Sequence, residues 1–163
     1  MIPQLRNMTS LYLVREDAVL CLYRIGSRVA NNRYIGSCGG HFEEKELNDP
    51  YSCILREMEE ELGLHESDLH QISLRYITHR LTKGEIRQNY YFFAGLKEEK
   101  ELKSNEGVLK WVPLEEIPAL SMPVSAKHMI LHYLQTGRFT DCVYAGITEE
   151  SGTKFTEMIE FDG

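Results

Sequence analysis

The sequence predicts one α/β domain, a sandwich in which helices pack on a mixed β-sheet. Apolar runs of strand length recur along the whole chain, and two helix-length segments interrupt them. The chain also contains no internal repeat and no Pro/Gly/Ser-rich linker, which favours a single domain over residues 1–163. A chain of 163 residues is long enough to bury a hydrophobic core without disulfides.

The N-terminal part of the chain is expected to form a hairpin followed by a glycine-rich strand. Apolar runs at Leu11–Val14 and Ala18–Tyr23 flank Arg15-Glu16-Asp17, which suits a tight turn. Residues 25–33 are polar and small, as in a loop. The segment Tyr34–Gly40 predicts a short strand whose backbone a ligand can approach closely, because glycine has no side chain.

A helix is predicted to begin at Pro50 and to end before Gly63. Asp49 is a favourable N-cap, and proline is well tolerated at the first helical position. Gly63 readily adopts the left-handed conformation in which many helices end. The helix boundaries therefore follow from local signals alone.

The rest of the chain is predicted to alternate strands with a second helix. The aromatic run Tyr90–Phe93 suits a buried central strand, although it also offers a face on which a base could stack. The predicted elements are strands at Ile72–Leu81, Ile86–Leu96 and Val108–Val112, a loop at 97–107, a helical turn at Leu114–Ile117, a helix at Ser125–Gln135, and a closing hairpin of Cys142–Ile147 with Lys154–Phe161.

The composition limits the classes of partner. A net charge of −7 argues against binding polymeric nucleic acid by phosphate neutralisation, although divalent ions could still bridge the chain to phosphates. No apolar run approaches the ~20 residues of a spanning helix, and the first ten residues lack the apolar core of a signal peptide. Four cysteines without paired spacing suit a reduced compartment. We therefore expect a cytoplasmic protein without a membrane partner.

The predicted helix carries an unusual concentration of carboxylates. On a helical wheel its apolar residues occupy one arc of about 100°, and they are Tyr51, Ile54, Leu55, Met58 and Leu62. Glu57, Glu60 and Glu61 share a second arc beside it, whereas Arg56 and Glu59 lie outside that arc. Like charges three and four residues apart destabilise a bare helix. The arrangement is either a solvated acidic face or a set of ligands for hard divalent cations such as Mg²⁺.

A longer pattern surrounds these carboxylates. Gly40 is followed by five residues and Glu46, and the run R-E-M-E-E-E-L-G-L begins at Arg56. The pattern resembles the Nudix hydrolase signature G-x5-E-x7-R-E-U-x-E-E-x-G-U, in which U is a bulky aliphatic residue. The second half fits without a mismatch, but nine residues instead of seven separate Glu46 from Arg56. The extra pair falls before Pro50, so it affects the expected role of Glu46 more than the helical carboxylates.

The resemblance implies the Nudix fold, an α/β/α sandwich with a mixed β-sheet and a loop–helix–loop motif, and it implies a set of site residues. The implied catalytic residues are Glu57, Arg56 and Glu60. Glu57 would activate water, and Arg56 would hold a glutamate in position. The implied ligands of Mg²⁺ or Mn²⁺ are the Gly39 carbonyl and the carboxylates of Glu57, Glu60, Glu61 and Glu106, the last placed five residues before Trp111. The implied substrate-binding residues are Arg24, Arg33, Gly40 and His41.

The implied reaction is metal-dependent hydrolysis of a nucleoside diphosphate linked to another group. The segment from Asn32 to Glu43 resembles the stretch G-[KR]-W-x-G-x-G-G-K-x-E of MutT-like oxidised-purine triphosphatases, with Tyr34 for the usual Trp and His41 for the usual Lys. The expected substrate is a nucleoside triphosphate such as 8-oxo-dGTP.

Three alternatives remain open at this point. They are hydrolysis of ADP-ribose or a nucleotide sugar, a non-catalytic nucleotide-sensing domain, and an isoprenoid isomerase. The isomerase needs a catalytic cysteine in a specific sequence context, which Cys38, although near the motif, lacks. Dimers are common in the family, so a homodimer is also expected.

Overall fold

One mixed β-sheet organises the molecule. The computed structural model describes residues 2–26 and 32–159. The strands within these residues are β1 (Gln4–Val14), β2 (Ala18–Arg24), β3 (Arg33–Ile35), β4 (Cys38–His41), β5 (Ser73–Thr82), β6 (Glu85–Ala94), β7 (Gly107–Pro113), β8 (Tyr144–Glu149) and β9 (Gly152–Glu157). Two α-helices accompany them, α1 (Pro50–Leu62) and α2 (Val124–Gln135).

The strand order is β3-β2-β1-β6-β5-β8-β9, with β4 paired to β1 and β7 paired to β2. The pairs β1–β6 and β5–β8 are parallel, and the other pairs are antiparallel. The prediction of an α/β fold with a mixed sheet is therefore confirmed. In the described part of the chain, neither helix has the length and apolar character required to cross a bilayer.

The two faces of the sheet bury separate hydrophobic cores. Successive residues of a strand point to opposite faces. Tyr12 and Phe93 belong to the core that also contains residues of α2. Their chain neighbours Leu11 and Phe92 belong to the core that contains residues of α1. The sheet thus lies between the two helices, which establishes the sandwich, and residue parity identifies the face on which a strand residue lies.

The first strand begins earlier than the sequence predicted. We expected a strand at Leu11–Val14, but β1 starts at Gln4. Its polar first half pairs in parallel with β6 over the whole stretch from Gln4 to Leu13. Backbone pairing, rather than apolar burial, determines this half of the strand, so a search for apolar runs misses it.

The glycine-rich segment forms two strands instead of the predicted one. Residues 33–35 pair with β2, whereas residues 38–41 pair with β1. The predicted loop at 25–33 is therefore wrong at Arg33, which begins β3. Residues 27–31 of that loop lie outside the described residues.

The later elements agree with the sequence to within a few residues. The hairpin of β5 and β6 turns at Lys83 and Gly84, both of which have positive φ, as a tight two-residue turn requires. β6 lies between β1 and β5, and it buries Tyr91, Phe92 and Phe93, which confirms the core reading of the aromatic run. The closing hairpin is confirmed for β8 and β9, while Phe161 lies outside the described residues.

Candidate active site

Helix α1 presents its carboxylates to the glycine strand β4. The Asp49 side chain accepts a hydrogen bond from the Ser52 amide at the N-terminus, and Gly63 ends the helix with a φ of 65°. Both local predictions are confirmed. Ile54, Met58 and Leu62 are buried against the sheet, while Tyr51 and Leu55 are only partly buried. Cys53, which is not among the residues of the predicted apolar arc, is fully buried as well.

The helical carboxylates differ in their exposure. The Glu57 side chain is 12% exposed, whereas that of Glu60 is 58% exposed. Glu61 is partly buried, and its Oε2 accepts a hydrogen bond of 3.0 Å from the Gly39 amide. Glu59 points away from this group and is 64% exposed. The structure therefore places Glu57 and Glu61 at a half-buried junction with β4, and Glu60 at its solvent edge.

Gly40 allows α1 to approach the strand closely. A Cβ atom at this position would overlap the Glu57 carboxylate. The Gly40 carbonyl accepts a weak hydrogen bond of 3.5 Å from the Thr9 hydroxyl. Gly40 therefore allows the Glu57 side chain to lie directly against this strand.

Arg56 connects the helix to the preceding loop through Glu46. Its Nε and Nη2 donate hydrogen bonds of 2.8 and 2.9 Å to the two carboxylate oxygens of Glu46. Its Nη1 lies 3.0 Å from Glu57 Oε1 and donates to Glu60 Oε2 at 3.1 Å. The hydrogen bonds from Arg56 lower the pKa of Glu46 to about 2. Arg56 thus holds the carboxylates in a fixed arrangement, as a bidentate guanidinium can.

The two extra residues between Glu46 and Arg56 do not separate this pair. Glu44–Glu46 form a short 3₁₀ turn, and the Asp49 amide donates to the Glu46 carbonyl. The insertion is taken up between the turn and the helix, and the Glu46 side chain remains buried. Glu46 therefore contacts Arg56 despite the two-residue departure from the motif spacing.

Crowded negative charge changes the acidity of the site. The pKa of Glu61 is raised to about 8, mainly by burial and also by the charges of Glu106 and Glu57, while the hydrogen bond from the Gly39 amide partly offsets the rise. Burial also raises the pKa of Glu57, although Arg56 partly offsets this effect. The charge of Glu106 thus raises the pKa of both Glu57 and Glu61.

The remaining predicted residues surround this carboxylate group unevenly. Arg24 Nη2 lies 3.9 Å from Glu106 Oε2. Arg33 is the cross-strand partner of Arg24 but is exposed, and its side chain has no contact with the carboxylates in the described part of the chain. The His41 carbonyl accepts a hydrogen bond from Arg56, and its Nε2 lies 3.1 Å from Arg6 Nη2.

Positive charge also affects His41. Its pKa is lowered by burial first and then by the charges of Arg6, Arg24 and Arg87. Arg6 was not predicted as a site residue, because the first half of β1 was not predicted as a strand. Arg6 is six residues before Tyr12 on β1, and residues an even number apart on a strand share a face. Extending the strand back from Tyr12 would therefore have placed Arg6 on the same face of the sheet as Tyr12.

The donor chemistry of the site fits a hard divalent cation. Carboxylate and carbonyl oxygens are the ligands that Mg²⁺ and Mn²⁺ take. A cation would offset the burial and the repulsion that together raise the pKa of Glu61. Within residues 2–26 and 32–159, no group of three His, Cys, Asp or Glu side chains is arranged to coordinate a metal ion. Glu57 and Glu60 contact Arg56 instead, and Glu61 contacts the Gly39 amide.

Solved structures with the same fold share little sequence with the chain. A MutT protein from Bacillus halodurans is 21% identical, with a TM-score of 0.65, over 92% of this chain and 97% of that one. A MutT protein from Methanosarcina mazei Go1 is 17% identical, with a TM-score of 0.68, over 86% and 99%. The NUDIX domain of Shewanella oneidensis NrtR, solved with ADP ribose, is 14% identical, with a TM-score of 0.62, over 86% and 90%.

A family model gives the assignment that these fold similarities alone do not. No curated protein matches the sequence. The NUDIX domain model matches residues 5–133, which include β4, α1 and every predicted site residue. Nudix hydrolases cleave nucleoside diphosphates linked to another group, and they generally use divalent metal ions. Since the match covers most of the sequence, the protein belongs to the Nudix hydrolase family, with the fold of its MutT-like members.

Proposed function

We propose that the protein is a Mg²⁺- or Mn²⁺-dependent pyrophosphohydrolase that cleaves a nucleoside triphosphate, with 8-oxo-dGTP as the first candidate, into the monophosphate and pyrophosphate. The observation that supports this proposal most is the crowding of Glu57, Glu61 and Glu106 around the glycine strand. Burial and mutual repulsion raise the pKa of Glu61 to about 8, so the site gains most from a bound cation.

In this proposal the cation is held by Glu57, Glu60, Glu61, Glu106 and the Gly39 carbonyl. When bound, it neutralises phosphate oxygens and lowers the pKa of bound water. Glu57 is the leading candidate to accept a proton from the attacking water. It is nearly buried, and burial raises its pKa, which suits a general base.

The cationic residues have distinct proposed roles. Arg56 positions Glu57 and Glu60 through its Nη1, while Glu46 fixes the rest of the guanidinium. Arg24, beside Glu106, is available to contact a substrate phosphate. Gly40 and His41 belong to the adjacent strand β4 and are proposed to contact the substrate. Arg33 is exposed, and it is proposed to contact only the outer part of the substrate.

A second candidate substrate is ADP-ribose or a nucleotide sugar, because the fold is shared with a NUDIX domain solved with ADP ribose. The site chemistry would be the same, and only the group beyond the diphosphate would differ. The isomerase alternative receives no support. Cys38 is buried, and burial raises the pKa of its thiol, so it is a poor nucleophile.

A nucleotide panel tests the proposal. Wild-type protein with Mg²⁺ should release pyrophosphate and a monophosphate from dGTP or 8-oxo-dGTP faster than it cleaves ADP-ribose. Cleavage of ADP-ribose alone would replace the first candidate with the second. Failure to cleave any member, with nucleotide still bound, would support the non-catalytic sensor instead.

Matched variants test the roles of the carboxylates. The double change Glu60→Gln and Glu61→Gln should reduce turnover at least a hundredfold, whereas Glu59→Gln, on the same helix but outside the group, should not. Equal turnover in the double variant and the wild type would contradict the catalytic assignment.

We also propose a single domain over residues 1–163, a cytoplasmic location and a homodimer. Light scattering after size-exclusion chromatography tests the dimer, and subcellular fractionation tests the location. A monomeric mass would remove the homodimer without affecting the proposed chemistry.

A further inference from the structure

Three arginines form a row across adjacent strands of the sheet. Arg6 of β1 is paired in register with Arg87 of β6, and Arg87 is paired with Arg80 of β5. Side chains of directly paired residues lie on the same face, with their Cβ atoms about 5 Å apart. The three guanidinium groups therefore extend from one stripe on one face, which we call the arginine row.

Residue parity places the arginine row on the face that α2 covers further along the strands. Phe93 stacks on Tyr133 of α2, and Arg87 is six residues before Phe93 on the same uninterrupted strand. Arg80 is four residues after Tyr76, whose hydroxyl contacts His132 of α2. The row lies beyond the stretch of sheet that α2 packs against, and its side chains are only partly buried.

The charge of the row is not balanced locally. Glu85 Oε2 lies 3.3 Å from Arg6 and 3.4 Å from Arg87, so one carboxylate serves two guanidinium groups. In the described part of the chain, Arg80 has no ion pair and no side-chain hydrogen bond. Three clustered cations in a chain of net charge −7 repel one another. A phosphate would relieve that repulsion, and guanidinium groups match its geometry.

Strand β4 connects this row to the active site. Its alternate residues face opposite sides, so Gly40 faces Glu57 while His41 contacts Arg6 at 3.1 Å. Within the described residues β4 pairs only with β1, and its other edge meets side chains of α1: the Gly39 amide donates to Glu61, and the His41 carbonyl accepts from Arg56. Gly39 is paired with Ser10, four residues and about 13 Å along β1 from Arg6. Exposed His41 therefore lies between Arg56 and Arg6, so one substrate molecule that passes over it can contact both the carboxylates and the arginine row.

We propose that Arg6, Arg80 and Arg87 bind a phosphate of the substrate that lies outside the cleaved linkage, and so select for substrates that carry one. The inference rests on the proposed function, because it names the specificity of the same site. Two sources share this chemistry: the terminal phosphate of a triphosphate chain, and a phosphate monoester on the ribose. Each outcome of the test identifies one source or rejects both.

Matched substrate pairs test the selection. The pair dGTP and dGDP differs by the terminal phosphate, and coenzyme A and its 3′-dephospho form differ by a ribose phosphate. Wild-type kcat/KM should favour the more phosphorylated member of one pair at least about tenfold at low salt, and the preference should decrease as salt rises. The double change Arg80→Gln and Arg87→Gln should reduce that ratio to below about threefold.

Arg138→Gln provides the matched control, because Arg138 is an exposed arginine that contacts the Phe139 ring and the Leu134 carbonyl. This variant should keep the wild-type ratio. Thermal unfolding of all three proteins confirms that they are folded. Equal kcat/KM within both pairs, or a preference that the double variant retains, would overturn the proposal.

A binding experiment separates this inference from the proposed function. Calorimetry should show that tripolyphosphate binds more tightly than pyrophosphate, or adenosine 3′,5′-bisphosphate more tightly than AMP, in a manner that depends on Arg80 and Arg87. Such binding without any hydrolysis would reject the proposed enzyme activity and retain the arginine row. Equal affinities within both pairs would reject the row, whatever the enzyme cleaves.

Discussion

Replacing Glu46 with Gln should destabilise the fold far more than the same change at its exposed neighbour Glu44. Glu46 is 3% exposed and accepts two hydrogen bonds from Arg56. Gln keeps the size of the side chain but removes its charge and one acceptor oxygen. Arg56 then loses its bidentate partner and keeps its contacts with Glu57, Glu60 and the His41 carbonyl.

The magnitude follows from the acidity of the group. The pKa of Glu46 falls from 4.5 to about 2, and each pKa unit corresponds to about 1.4 kcal/mol. The carboxylate therefore contributes about 3 kcal/mol, in the range expected when one partner of a buried ion pair is removed. Because the folded pKa is depressed, this contribution is fully present above pH 4.5 and is lost as pH falls towards 2.

Urea denaturation of wild type, Glu46→Gln and Glu44→Gln at several pH values measures the effect. At pH 7 the Glu46 variant should lose about 2–3 kcal/mol of unfolding free energy, and the Glu44 variant less than about 0.5 kcal/mol. The gap between wild type and Glu46→Gln should shrink below pH 4.5. A loss below about 0.5 kcal/mol, or a gap that does not change with pH, would refute the reasoning.

Three further predictions concern other parts of the structure. Because the pKa of Glu61 is raised from 4.5 to about 8, the unfolding free energy of the metal-free protein should fall as pH rises from 4.5 to 8. In urea titrations with EDTA, Glu61→Gln should make the unfolding free energy depend less on pH in this range. An unchanged pH dependence would contradict the raised pKa of Glu61. Gly40→Ala should lower kcat at least about tenfold, because its Cβ overlaps the Glu57 carboxylate and displaces it from Arg56. The unfolding free energy should fall by less than about 1 kcal/mol, because only the end of one side chain has to move. Full activity would contradict the close approach. Arg75→Met should lower the unfolding free energy by about 2–4 kcal/mol in denaturation experiments, because buried Arg75 donates hydrogen bonds to three backbone carbonyls after α2. A loss under about 1 kcal/mol would show that water replaces those hydrogen bonds.

The ends of α1 and the turn between β5 and β6 could be predicted from residues that are close together in the sequence. The cap at Asp49 and the left-handed Gly63 determine both ends of α1, and the 3.6-residue period separates its apolar arc from the Glu57 group. Lys83 and Gly84 likewise mark a tight hairpin. These features depend on residues a few positions apart, so they can be read without knowledge of the tertiary structure.

The features that could not be predicted from the sequence depend on contacts between residues that are not adjacent in the motif or in the chain. The polar first half of β1 is a strand because β6, about eighty residues later, pairs with it. The arginine row exists only in that register, so no motif in the sequence indicates it. The pair formed by Glu46 and Arg56 was undervalued for a similar reason: a 3₁₀ turn compensates for two additional residues that a spacing rule counts as a mismatch.

The central claim is that the carboxylates beside β4 bind a divalent cation, and titration with Mn²⁺ followed by electron paramagnetic resonance tests it directly. Wild type and Glu59→Gln should bind Mn²⁺ with the same affinity, while Glu57→Gln and Glu61→Gln should each weaken binding at least about tenfold. The opposite result, in which all four proteins bind Mn²⁺ equally or none binds it, would contradict the account.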